Sequence, residues 1–316
     1  MLSSTLLIKN LSSPQGSAMR FFLLLKILLL PIILFSASQP VLANSKISPS
    51  LWQIEKNGVT SYLLGTVHLG DQQMAGLPNY VKKAIEKTEK LVVEVDLSKV
   101  NPLEQQQVMM SYMLLPPGKT LQSEISAKNY KALSRYMTQQ GLTMELFQPM
   151  QPFAVMLQIT LMEYQKAGYQ DTFGIDKQVM NVAQRLQIPI MQLETLEQQM
   201  GMFKGFSKYN NKMIEDGLKE LSDMDKYFNR LIGSWKRGDD AALESYYQET
   251  FNGDSYSALT EKVLLTNRNK NWVKQLKSKL TKQPHFIAVG ALHLHGPEGL
   301  LKLLEKEGYK LSKKNK

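Results

Sequence analysis

Two short words in the chain share one frame. Gly65-Thr66-Val67-His68 follows the apolar run Tyr62-Leu63-Leu64, and Gly290-Ala291-Leu292-His293 follows Phe286-Ile287-Ala288-Val289. Each reads as a strand, a glycine, two residues and a histidine. Two of the chain's four histidines sit in this frame. Neutral imidazole is a common metal ligand and the usual general base near neutral pH. In α/β sheets, ligands gather at the carboxyl ends of strands, and glycine lets backbone approach closely there. A lone histidine after a strand is ordinarily a packed, hydrogen-bonded residue. The repeated frame favours a shared site instead. The expectation is that the two strand ends meet, that His68 and His293 hold a divalent metal for hydrolysis, and that Gly65 and Gly290 permit the approach.

Carboxylates are the remaining ligand candidates. Glu94 lies in the apolar run Leu91-Val92-Val93-Glu94-Val95-Asp96, where an unpaired charge is expensive. Two readings stay open: a metal ligand or general base, and a structural ion pair, for example with Arg268. Asp96 shares its face and reads as a helix cap. Asp176 opens a helix after Gly174 and reads as an acid favoured by the helix dipole. Glu194 ends a strand pattern over 188–194. Two histidines and one glutamate with an open water position form a known hydrolytic zinc arrangement. Such an ion lowers the pKa of water to about 7 and polarises a carbonyl. Arg268-Asn269 follows a helical pattern. It reads as a helix-end surface pair, or as an arginine that binds a substrate carboxylate or steadies an oxyanion.

The elements that must position these residues follow from periodicity. Asn57-Gly58 between two strand-like runs predicts a tight hairpin. Pro78 opens a helix over 80–90, and the apolar run at 91–96 follows it. A strand, a helix and a strand at this spacing predict a parallel α/β unit. Residues 98–282 read mostly as helix, over 103–114, 126–140, 144–168, 175–186, 197–203, 209–236, 240–250, 256–266 and 271–279. The 286–289 strand, a helix over 297–307 and an edge strand at 309–311 close the chain. The fold class is α/β: one central mixed sheet built from both chain ends, carrying a large helical insertion as a cap. No linker rich in Pro, Gly or Ser divides it. Methionine is abundant, at 17 residues, many of them in the helical region. They read as core filler, or alternatively as an adaptable groove for unfolded peptide.

Composition narrows the function classes. The chain has 316 residues and a formal charge of +10. Part of that charge lies in the first 43 residues and in a basic 313–316 tail expected to be solvated. No basic stripe interleaved with aromatics appears, which argues against nucleic-acid binding. Arg20, the apolar stretch 21–35 and Val41-Leu42-Ala43 have the pattern of a signal peptide cleaved after Ala43. Met19 is an alternative start, and an uncleaved membrane anchor is the alternative to cleavage. An exported, periplasmic or secreted protein is expected. There are no cysteines, so a thiol nucleophile is excluded and any metal must use His, Asp or Glu.

Taken together, these words resemble the TraB/GumN family, which includes the Tiki proteases. The matching stretches are Leu63-Leu64-Gly65-Thr66-Val67-His68, Val92-Val93-Glu94-Val95-Asp96, Gly174-Ile175-Asp176, Arg268-Asn269 with Trp272, and Val289-Gly290-Ala291-Leu292-His293. They run in family order across residues 50–312. The resemblance implies a fold of the erythromycin-esterase and ChaN type, with two related halves that each supply a Gly-x-x-His. It also implies a metal-dependent peptidase acting on a peptide or protein substrate, with manganese, cobalt or zinc as the ion. Its working residues map onto His68, His293 and Glu94. Arg268, Asp176 and Asn269 map as supporting residues, with Arg268 steadying developing negative charge. A binding module for a small ligand, haem or peptide, and a metal-dependent esterase, are the alternative readings of the same fold.

Overall fold

The structure is a computed structural model, and it describes residues 47–314. The expected signal peptide and the alternative start at Met19 lie outside the described residues. Among the described residues, no helix is long and apolar enough to cross a membrane.

One six-stranded sheet organises the chain. Its strands are β1 (Leu51–Lys56), β2 (Val59–Thr66), β3 (Lys90–Val93), β4 (Ile190–Gln192), β5 (His285–Gly290) and β6 (Lys310–Lys314), in the spatial order β4-β3-β5-β2-β1-β6. β4, β3, β5 and β2 run parallel to one another, while β1 is antiparallel to both β2 and β6. The hairpin forms where expected: Asn57 and Gly58 both adopt positive φ, at 52° and 78°, as a primed turn requires. β5 comes from the far end of the chain yet inserts between β2 and β3, with Thr66 opposite Gly290 and Val93 opposite Ala288. The carboxyl ends of β2, β5, β3 and β4 therefore lie side by side, in a row.

Alternation along the strands gives the sheet two buried faces. Tyr62, Leu64, Leu91, Val93, Phe286 and Ala288 face the larger core. Leu63, Val92, Ile287 and Val289 face the smaller one.

The helices are α1 (Asn79–Glu86), α2 (Pro102–Met113), α3 (Leu121–Glu124), α4 (Ala127–Gln139), α5 (Pro152–Lys166), α6 (Ile175–Arg185), α7 (Leu196–Gly201), α8 (Asn210–Leu221), α9 (Met224–Arg237), α10 (Asp240–Phe251), α11 (Ser255–Glu261), α12 (Asn267–Leu276) and α13 (Leu300–Lys306). α12 and α13 cover the smaller core through Trp272, Leu276, Leu300 and Leu304. Most of the helical insertion packs on the other side. Its methionines serve largely as core: Met137, Met156, Met200 and Met213 are fully buried.

Several expected boundaries shift, each for a local reason. The helix read over 144–168 begins only at Pro152, because Pro149 and Pro152 break the pattern and leave a single 3-10 turn at Met144–Phe147. The long helix read over 209–236 divides at Ser222-Asp223 into α8 and α9. Lys313 and Lys314 do not form a solvated tail. They pair opposite Trp52 and Leu51 as the end of β6, and the Lys313 ammonium sits 2.7 Å from the Asp240 carboxylate.

Candidate active site

The row of parallel strand ends carries the candidate side chains in spatial order. Glu194 follows β4, Glu94 follows β3, His293 follows β5 and His68 follows β2. The two glycine words pack directly on each other. A Cβ at Gly65 would stand 2.8 Å from the Ala291 Cα, and one at Gly290 would stand 3.3 Å from Glu94 Oε1. Gly65 is therefore needed for closeness, while a side chain at Gly290 would press on the Glu94 carboxylate. The Gly290 N–H also donates to Glu94 Oε1 at 2.7 Å, and the Gly65 carbonyl accepts from Trp235 Nε1 at 2.7 Å.

His68 is held by the segment that opens α6. The Ile175 N–H donates to the Val67 carbonyl at 2.9 Å. Any side chain at Gly174 would collide with the His68 carbonyl. This docking places Asp176 Oδ2 2.8 Å from His68 Nδ1, and Asp176 Oδ1 accepts from the Thr66 hydroxyl. Asp176 is thus a partner of histidine rather than only a helix-dipole acid. Burial opposes charge on His68, but Asp176 outweighs it and holds the imidazole pKa above its ordinary value. Burial likewise opposes charge on Asp176, and His68 and Thr66 hold its carboxyl below the usual range. The other ring nitrogen, His68 Nε2, is buried and has no hydrogen-bond partner.

His293 has a fixed tautomer. Asn269 Nδ2 donates to the carbonyls of His293 (3.2 Å) and Glu298 (2.8 Å), so its Oδ1 must accept. His293 Nδ1, 2.6 Å from that oxygen, is therefore the protonated nitrogen. Nε2 is left as a lone pair, and Arg268 Nη1 donates to it at 3.0 Å. Burial first, then the charges of Arg268 and His68, push the His293 pKa well below its ordinary value. The ring is neutral, as a ligand or proton acceptor must be.

Glu94 is buried, and the arginine expected as its alternative partner is there. Arg268 Nη2 donates to Glu94 Oε2 at 2.5 Å, and Gln199 Nε2 donates to the same oxygen at 3.2 Å. Oε1 keeps one open lone-pair direction and lies 3.8 Å from His293 Nε2. Asp96 faces elsewhere: it caps the turn after β3 by accepting from the Ser98 N–H at 3.2 Å. Arg268 also grips Glu194 through Nε and Nη2, at 2.9–3.0 Å. Burial discourages its charge, but Glu94 and then Glu194 keep its pKa above the ordinary value.

Arg268 reaches the site through a register change. The pattern read as a helix ending at 266 continues through a π turn, Lys262–Thr266, into α12. Arg268 is therefore buried inside a helix instead of standing at a surface helix end. All five of its N–H groups have acceptors, counting the Leu264 carbonyl at 3.1 Å. It can serve an oxyanion only by releasing one of them.

His68 and His293 line one cavity of about 30 Å³, together with Leu231, Ile232, Tyr164 and Leu292. That volume suits an ion or a water rather than haem. Among the described residues, no three His, Asp or Glu side chains stand close enough to enclose a metal ion. The donor set nevertheless fits one in part. The orphaned His68 Nε2 is an available nitrogen, the lone pair of His293 Nε2 is taken by Arg268 Nη1, and each Nδ1 faces an oxygen acceptor, as in metal-binding histidines with outer partners. Two carboxylates, Glu94 and Glu194, flank the Arg268 guanidinium, leaving one formal negative charge over, while Asp176 pairs separately with His68. Glu94 does not complete the set while Arg268 holds it. His285 and His295 stand apart: His285 Nδ1 donates to the Gln283 carbonyl, and His295 lies 3.7 Å from Glu244.

Sequence reasoning did not assign Thr66, Gln199 or the Glu194 clamp. Gln199 carried no signal, because it lies in a helix with no motif around it. Glu194 did: an acid ending an apolar strand, like Glu94, points to the same end of the sheet.

The fold and site define a class: a parallel-centred α/β sheet under a helical cap, with paired Gly-x-x-His turns at adjacent strand ends. The chain belongs to the TraB/PrgY/gumN family, whose family model matches residues 50–313. It is similar to two proteins described as uncharacterized protein YbaP. The one from Shigella flexneri is 27% identical over 246 residues, and the one from Escherichia coli (strain K12) is 26% identical over 245 residues. Each match spans 77% of this chain and 87% of the relative. No solved structure matches.

Proposed function

We propose that the chain is an exported hydrolase, cleaving a peptide or related carbonyl substrate at the cavity between His68 and His293. The observation that carries this reading is the orphaned His68 Nε2, on a residue that lines the same small cavity as His293 while Asp176 holds its other nitrogen. A buried nitrogen without a partner costs about 1–3 kcal/mol, so the site is built for a partner. His68 and His293 would hold a divalent ion through Nε2, and Asp176 and Asn269 would fix their rings. When bound, the ion supplies Lewis acidity, polarising a carbonyl and acidifying water. Glu94 accepts a proton through Oε1, the oxygen with an open direction. Arg268 holds the Glu94 carboxylate in place beside His293. The largely apolar walls from Leu231, Ile232 and Leu292 limit the water that enters.

The test is cleavage of a peptide library and a panel of esters by purified protein, with chelator and with Zn²⁺, Mn²⁺ or Co²⁺ restored. Metal-restored cleavage that disappears in both His68→Ala and His293→Ala is expected. Undiminished cleavage in the two variants would sink the reading. A second reading rests on the His68–Asp176 pair itself, which is the arrangement of a general base with a carboxylate orienter. It differs in one outcome: chelator leaves its cleavage unchanged.

A further inference from the structure

Arg268 engages the atoms that a metal at this site would need. Nη1 donates to His293 Nε2 at 3.0 Å, and Nη2 donates to Glu94 Oε2 at 2.5 Å. The same guanidinium has a second set of acceptors that are not candidate ligands. Glu194 takes Nε through both carboxylate oxygens and Nη2 through one, and the Leu264 carbonyl takes Nη1. Glu194 is further fixed by Trp272 Nε1, 3.0 Å from its Oε1. A flat fork with five donors can give up two contacts and stay anchored by the rest.

We propose that Arg268 is a resident cation that competes with divalent metal for His293 Nε2 and Glu94, and so sets the metal affinity of the site. This rests on the metal reading above. Arg268 is a positioning residue here. With metal absent, it neutralises Glu94 and gives the His293 lone pair a donor. As metal arrives, the guanidinium withdraws toward Glu194 and the Leu264 carbonyl, and both ligand atoms become free. The contest is between one positive charge and two, beside the carboxylates of Glu94 and Glu194 that flank the guanidinium. The Arg268 Cζ lies 4.6 Å from the Trp272 ring, and that ring lies 4.3 Å from the His293 ring. Movement of the guanidinium therefore changes the surroundings of one tryptophan.

Calorimetric titration of the purified chain with Zn²⁺ tests this, comparing wild type with Arg268→Gln. The variant removes a positive charge 3.0 Å from the candidate ligand atom His293 Nε2 and should bind Zn²⁺ about tenfold tighter or more. In the wild type, Zn²⁺ should also change tryptophan fluorescence, and Trp272→Phe should lose that change. Should Arg268→Gln fail to fold by circular dichroism, Arg268→Lys replaces it. Lysine keeps a charge for the two glutamates but lacks the fork that spans them and His293, so tighter binding is expected again. Equal or weaker Zn²⁺ binding by the folded variants overturns the competition and leaves the metal reading intact. No binding by wild type or variant overturns the metal reading, and the competition with it.

Discussion

His68 and His293 are held differently, and the difference decides what each can do. His293 is locked by Asn269 and made neutral by burial beside Arg268. His68 is backed by a carboxylate and has nothing on Nε2. Removing that backing is the cleanest residue-level perturbation. Asp176→Asn should keep the fold yet weaken Zn²⁺ binding about 10–100-fold, as loss of an outer partner of a histidine ligand does; equilibrium dialysis measures it. Unchanged binding would mean that His68 does not ligate. Glu194→Ala acts on the other side of the row. It strips a buried arginine of several hydrogen bonds while Glu94 still balances its charge, and should cost about 1–3 kcal/mol by urea denaturation. Of the individual residues, the histidines, Glu94 and both glycines were legible because their residue types and strand-end positions carry the signal. The pairing of Arg268 with Glu94 was one of two readings the sequence left open, whereas the pairing of Asp176 with His68 was not legible, since it joins segments far apart in the chain, which no local pattern encodes.

At the level of elements, two backbone devices aim the site. One is the π turn before α12. Deleting Val263 would restore ordinary helical register, rotating everything after it by about 100°. Arg268 and Asn269 would leave the site together. Metal-restored cleavage should vanish while far-ultraviolet dichroism stays near that of wild type, and retained cleavage would contradict the aiming role. The other device is the close approach at Gly174. Gly174→Ala should destabilise the protein by about 1–3 kcal/mol, as forced overpacking does, and should perturb His68 with it. The β5 strand adds a pH effect. Burial, then the charges of Lys90 and Lys279, lower the His285 pKa, against the Gln283 carbonyl and Glu89, which raise it. The unfolded chain therefore takes up this proton first. Stability should be complete above the ordinary value of 6.5 and fall as pH drops below it. His285→Gln should make that part of the stability curve shallower, with His293 and His295, whose values burial also lowers, supplying the remainder. The hairpin, the buried strands and most helices were legible from turn chemistry and periodicity. The π turn was not, because an inserted residue leaves the apolar pattern of 256–266 intact and only changes where the next residues point. Lys313 and Lys314 read as tail because charge suggests solvent; β1 offers an open edge that pairs both, and of the two only Lys314 stays exposed.

At the scale of the whole molecule, the sheet is completed only when the chain's far end returns. β5 slots between β2 and β3, so His68, Glu94 and His293 become neighbours only in the finished fold. A ligand held by His68 and His293 must then stabilise the whole domain. Zn²⁺ at a hundred times its dissociation constant should add about 2.7 kcal/mol to unfolding free energy, read as a shift in the thermal midpoint. His68→Ala should abolish that shift. The sheet was legible in outline, as one sheet from both ends with a helical cap, because the apolar runs cluster at the two ends. The row of four strand ends was not, since register belongs to the assembled sheet.

The central claim is that two distant Gly-x-x-His turns make one metal-holding site, and the chain's four histidines make it directly readable. In protein labelled with nitrogen-15 at histidine, Zn²⁺ should move two Nε2 resonances together, those of His68 and His293, and complete the change at one equivalent. His285 and His295 should stay in place. Movement of only one of the pair, or of His285 or His295 instead, would contradict the account.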